Sequence, residues 1–146
     1  MNMSVPTMGK VVVKATIENL KDEWAVEQGI VPAEQARRVD VDDALVDTGA
    51  TTLSLPKRMI QQLGLRPTRT RQARTPAGLT TVQMYEAVRL TVQGRDTLSD
   101  VAELPDDCPV LIGVLPLEHL DFVVDPMGQR LIGNPAHGGE QMIEIY

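Results

Sequence analysis

The sequence predicts an all-β barrel or sandwich with one or two short helices. Three observations carry this: many short segments alternate apolar and polar residues with period two, Gly and Pro turn signals separate them, and few stretches keep helical spacing. At 146 residues the length suits one domain with one hydrophobic core. We therefore expect a single domain over 1–146, with its core at approximately 11–132 and a C-terminal segment, 133–146, as a candidate dimer strand.

Val11, Val13, Ala15 and Ile17 alternate with Val12, Lys14, Thr16 and Glu18, which predicts a first strand with one buried face. From Asn19 to Arg38 periodicity is lost among charges, Gly29 and Pro32, so a long loop with a helical turn at Ala33 to Arg38 is expected. Val39 to Val46 reads as a second strand, and Leu53 to Leu55 as a further extended segment. Pro56 then suits a first helical turn, Met59, Ile60 and Leu63 keep helical spacing, and Gly64 stops the helix. Between Arg69 and Val92 the turn "TPAG" (Thr75 to Gly78) predicts a hairpin, with Val82, Met84, Val88, Leu90 and Val92 on one face. Leu98 to Leu104 is a candidate strand, "PVLIG" an apolar strand ending at Gly113, and "LPLEHL" a helical turn. "VVDPMGQRLI" reads as a hairpin turning at Pro126 and Gly128. After a loose "NPAHGG", "QMIEIY" reads as a final strand.

Composition narrows the function classes. A formal net charge of −6, with no Lys/Arg cluster interleaved with aromatics, argues against a nucleic-acid partner. No apolar run approaches the roughly 20 residues of a membrane-spanning helix, so no membrane partner is expected. The single Cys108 cannot form an internal disulfide and "MNMSVPTMGK" lacks a secretory pattern, which makes a cytoplasmic protein the expectation. Cys108 has no sequence-adjacent base, so a cysteine nucleophile is not expected. His119 and His137 lack a second ligand at metal spacing and read as surface histidines; no metal and no cofactor are expected.

The stretch "ALVDTGATTLSL" places Asp47 directly after an apolar strand, where a carboxylate loses hydration that hydrogen bonds or a partner must replace. Thr48, Gly49 and Ala50 follow, and a second apolar-apolar-Gly element, Leu111-Ile112-Gly113, answers it downstream with the hairpin between. "LVDTGAT", the "TPAG" hairpin and "VLIG" followed by "LPLEHL" together resemble the retropepsin-like aspartic proteases, the family of the retroviral proteases and their stand-alone bacterial relatives. The resemblance covers approximately Val11 to Ile132 and implies a retropepsin-like closed β-barrel with a flap hairpin. It implies that Asp47, Thr48 and Gly49 form the catalytic motif, and that Ala50 and the flap residues Thr75, Pro76, Ala77 and Gly78 meet the substrate. Leu111, Ile112 and Gly113 would then support the Asp47 loop from beneath. Retroviral members commonly carry a basic residue after the apolar-Gly element; here the residue is Val114.

Hydrolysing a peptide bond without a metal or a nucleophilic side chain takes two carboxylates sharing one proton: one accepts a proton from water while the other polarises the carbonyl. Asp47 supplies one acid. No second Asp-Thr-Gly or Asp-Ser-Gly occurs, and Asp125 reads as a turn residue, so an isologous homodimer is expected to supply the mate. The leading reading is a homodimeric aspartic endopeptidase acting on peptide or protein substrates. The alternatives are a catalytically silent module that binds an extended peptide in the same cleft, or a dimerisation module. Arg69, Arg71 and Arg74 line the first hairpin arm, where a solvated face is the plainer account and a preference for acidic substrates the sharper one.

Overall fold

In the first strand the predicted alternation becomes a buried face: Val11, Val13, Ala15 and Ile17 enter the core while Val12 stays outside. The computed structural model describes residues 10–125 and 127–145; the "MNMSVPTMG" terminus, Pro126 of the predicted turn and Tyr146 lie outside the described residues. Among the described residues nine strands and three α-helices follow in order: β1 (Val11–Asn19), α1 (Leu20–Glu27), β2 (Arg38–Val46), β3 (Leu53–Pro56), α2 (Lys57–Leu63), β4 (Pro67–Thr75), β5 (Gly78–Val92), β6 (Arg95–Leu104), β7 (Leu111–Ile112), α3 (Val114–Leu120), β8 (Phe122–Asp125) and β9 (Arg130–Gly133). The main sheet runs β1-β2-β7-β3-β6-β5-β4, and an added β1–β5 pairing closes its first six strands into a barrel. Among the described residues of this sheet, only β4 remains outside the closure, bonded to β5 alone. β8 and β9 form a separate hairpin. The chain is thus an all-β barrel with short helices.

Closure buries one continuous apolar core, in which Ile17, Leu53, Leu55, Leu63, Leu90, Ile112 and Leu120 are fully buried. Such burial supplies about 1.5–3 kcal/mol per large aliphatic side chain. α2 follows the expected logic: Ile60 and Leu63 face the core, and Gly64 ends the helix at φ +65, a conformation favouring glycine. β5 passes into β6 through Gln93 and Gly94, both at positive φ, with Val92 opposite Arg95, the tight connection of a two-residue hairpin.

Several expectations are corrected. The segment after Asn19 is not a loop from its start, because α1 occupies its first part; the helical turn expected from Ala33 is present as a short 3-10 turn, Ala33–Gln35. Asn19 explains the helix start: its Oδ1 accepts from the Asp22 amide at 3.0 Å, while its Nδ2 donates to Leu63 O at 2.7 Å. "NPAHGG" is ordered as a 3-10 turn, Pro135–His137, capped by Asn134. Within the apolar run before Gly113, Val110 and Ile112 are buried and Leu111 is half-buried. Residues 141–145 take no strand, since no strand among the described residues pairs with them.

His137 is not a plain surface residue either. Its Nδ1 meets Asp121 Oδ2 at 2.6 Å and its Nε2 meets Glu144 at 3.2 Å. Asp121, itself buried, also accepts from the Met142 amide at 3.0 Å and from Asn134 Nδ2 at 3.2 Å. Arg95 adds hydrogen bonds to the carbonyls of Leu120, Asp121 and Gly139, with its guanidinium 4.5 Å above the Phe122 ring. This network fastens the C-terminal segment to the barrel.

Candidate active site

The Asp47 loop is held from both sides by one short strand. β7 lies between β2 and β3: Leu45 pairs in parallel with Leu111 and Val46 with Ile112, while Ser54 pairs antiparallel with Leu111. The Asp47 amide donates to Ile112 O at 3.0 Å, which extends the β2–β7 ladder to the acid itself. The chain then turns sharply, with the Ala50 amide donating to Asp47 O at 3.0 Å. Within that turn the Gly49 amide donates to Asp47 Oδ1 at 2.9 Å, fixing one carboxylate oxygen. A Cβ at Gly49 would stand 3.2 Å from that oxygen, so the glycine keeps the approach open.

Beneath the loop, Gly113 makes the closest backbone approach. A Cβ there would lie 2.5 Å from Thr52 O and 2.7 Å from Ala50 O, inside any permitted contact. The amides of Gly113, Val114 and Leu115 donate to the carbonyls of Thr52, Ala50 and Thr51 at 3.1, 2.9 and 3.0 Å. These are the amides at the start of α3 that lack partners within the helix, so the Asp47 loop serves as the helix cap. Thr52 Oγ1 further donates to Asp100 O at 3.0 Å, tying the loop to β6. Neither the capping carbonyls nor Thr52 was singled out from the sequence, because both act across long chain separations; the small hydroxyl run after Gly49 is the local trace of them.

In the single chain Asp47 and Ala50 are half-buried, and Thr48 and Gly49 are exposed. The acid is therefore fixed in position without being enclosed, contrary to the buried setting its apolar approach suggests. The loop brings Asp47, Gly49 and Ala50 together with Ile112 and Gly113. The tip of the hairpin closes on itself: Thr75 Oγ1 donates to Gly78 O at 2.8 Å and accepts from the Ala77 amide at 3.2 Å, with Gly78 at φ +113. Among the described residues no hydrogen bond joins this tip to the Asp47 loop. Residues 78–83 pair with β4 alone, so the hairpin forms a two-stranded arm beyond the closed barrel.

Cys108 stays away from this chemistry, since burial and the neighbouring Asp107 push its thiol above the ordinary value and disfavour a thiolate. No helix among the described residues is long and apolar enough to cross a membrane. Among curated proteins, none matches the chain. Residues 36–119 match the family described as "gag-polyprotein putative aspartyl protease", a span that contains Asp47, the hairpin tip and Gly113. With more than half of its length inside that match, the chain belongs to this retropepsin-like aspartyl protease family.

Proposed function

We propose that the chain is an aspartic endopeptidase whose active site forms when two copies bring their Asp47 side chains to a common two-fold axis. The observation that supports this most is the architecture of the loop: one acid, fixed by the Gly49 amide and underpinned by Gly113, left half-exposed in a sequence with no second Asp-Thr-Gly or Asp-Ser-Gly. Such a site is incomplete alone, and two-fold symmetry completes it with an identical group. The exposed apolar side chains of Met142, Ile143 and Ile145, on a segment without a strand partner among the described residues, give the second copy a surface to cover.

The chemistry follows from one proton shared by two carboxylates. The ionised Asp47 takes a proton from a water whose oxygen attacks the carbonyl carbon, and the protonated Asp47 donates to the carbonyl oxygen. The resulting tetrahedral diol collapses as the C–N bond breaks, and a proton passes from the dyad to the departing amine. The Gly49 amide holds one oxygen of each carboxylate so that the other faces the reacting atoms. Thr48 would brace the opposing loop, and the Thr75 to Gly78 tip would close over the bound peptide.

Incubating the parent and Asp47→Asn with a denatured-protein mixture across acidic to neutral pH, and reading cleavage products by mass, tests this. Cleavage by the parent with a loss of several orders of magnitude in the variant is expected. Cleavage retained in the variant would discard the aspartic mechanism, and none in the parent would favour a peptide-binding module in the same fold.

A further inference from the structure

The arm formed by β4 and the first half of β5 carries a charge pattern unlike the rest of the molecule. Elsewhere Arg37 is tied to Asp22 at 2.8 Å, Arg38 to Asp40 at 3.0 Å, Arg89 to Glu23 and Asp96 at 3.0 and 2.6 Å and Arg130 to Asp125 at 3.3 Å, while Arg58 and Arg95 donate to backbone carbonyls. Arg69, Arg71 and Arg74 are exposed and enter no ion pair among the described residues. Their cross-strand neighbours on β5 are Met84, Val82 and Leu79, all uncharged. No Asp or Glu occurs from Pro67 to Tyr85, in a chain whose formal net charge is −6. The same strand has an open edge among the described residues, where β4 pairs only with β5. Strand periodicity sets Arg69 and Arg71 on one face and Arg74 on the other.

We propose that this β4 edge is a recognition strip for an acidic, extended segment of the polypeptide substrate. The segment adds as a further strand along β4, its main chain bonding to the open edge, and acidic side chains at alternate positions pair with Arg69 and Arg71. Spacing follows from the pleat: acids two residues apart fall on the same face as the two arginines, whereas adjacent acids split between faces. Charge complementarity selects the occupant, since a strand edge without charge would accept any extended chain and would invite a second copy of β4, which the arginines of two such edges repel. The inference rests on the proposed proteolytic function for the word substrate, and its test does not depend on cleavage.

The experiment uses the full chain as Asp47→Asn, with binding read by fluorescence anisotropy against an extended peptide bearing Glu at alternate positions and its Gln counterpart. The Glu peptide should bind roughly fivefold more tightly, the effect of two cross-strand ion pairs, and the preference should shrink with added salt. Adding R69Q and R71Q should remove the preference, whereas R74Q should leave most of it; circular dichroism of each variant checks the fold. Equal binding of the two peptides, no binding of either, or a preference that survives R69Q and R71Q would overturn the proposal. So would tighter binding of a single-stranded oligonucleotide of equal charge, which would mark the arm as a nonspecific anion surface. If the parent cleaves nothing while the preference is present, the proteolytic reading falls and the acidic-segment strip stands.

Discussion

Single atoms decide how the Asp47 loop is built, and Gly113 is where the margin is smallest. Its φ of −86 suits any residue, so the requirement is for space: a methyl group there would stand 2.5 Å from the Thr52 carbonyl. Gly113→Ala should therefore cost about 1–3 kcal/mol through forced backbone movement. It should also weaken activity, because the carbonyls that would move cap α3 and carry the acid. Urea midpoints and peptide cleavage rates measure the two effects; unchanged values for both would contradict the support role. Gly78 differs in kind. A Cβ there meets no atom within 4 Å, but φ +113 is poorly open to branched residues, at a cost of order 1–3 kcal/mol confined to the arm. Gly78→Val should reduce cleavage at least about tenfold, while the global unfolding midpoint shifts little because the arm lies outside the closed barrel. Parental cleavage by this variant would remove the hairpin tip from the substrate site.

Among the elements, the C-terminal segment is held by a network whose strength depends on pH. The hydrogen bond to Asp121 raises the His137 imidazole above its ordinary 6.5, with Glu144 acting in the same direction. Its stabilisation is fully present below about pH 6.5 and is lost as pH rises through the higher folded-state value. The His137 contact, followed by the Met142 amide, holds the Asp121 carboxyl below its ordinary 3.8, so that contribution is present above pH 3.8 and lost as pH falls through the lower value. The segment should be held most firmly between these limits. An NMR titration of the His137 ring should give a value above 6.5, and His137→Gln should flatten the loss of thermal stability above neutrality. A ring titrating at or below the ordinary value would contradict this arrangement.

Elements were legible in the sequence where several local signals agreed. In α2, Pro56, Met59, Ile60, Leu63 and Gly64 all point one way, and β1 shows its buried face as plain alternation. α1 escaped because it buries no residue and so leaves no apolar stripe to read; its Asn19 cap was the available signal. The final segment reads as a strand from its apolar residues, but a strand is a property of a pair and the described residues supply no partner. At the candidate site, Gly113 carries a local reason for its residue type, since a Cβ there would stand 2.5 Å from Thr52 O, and the Asp47–Gly49 turn is one in which the Gly49 amide bonds the preceding acid. The capping of α3 by the loop carbonyls was not legible, since backbone groups carry no sequence signature.

At the scale of the whole molecule, the barrel presents the fixed, half-exposed Asp47 and a C-terminal segment with exposed apolar side chains that pairs with no strand among the described residues, and under the proposed function a second copy covers both. Sedimentation should show a concentration-dependent dimer whose appearance tracks proteolytic activity. Ile143→Glu, which places a charge on a side chain 82% exposed in the single chain, should weaken association while leaving the monomer's stability within about 0.5 kcal/mol. Retained dimerisation in that variant would move the interface elsewhere on the barrel.

The most direct test of the two-chain site mixes parent and Asp47→Asn subunits at fixed total concentration, under conditions of subunit exchange, and measures peptide cleavage. If each active site needs Asp47 from both copies, activity follows the square of the parental fraction, and an equal mixture retains roughly one quarter of the parental rate. A linear decline, with roughly one half retained in the equal mixture, would mean that each chain carries a complete site of its own and would contradict the account.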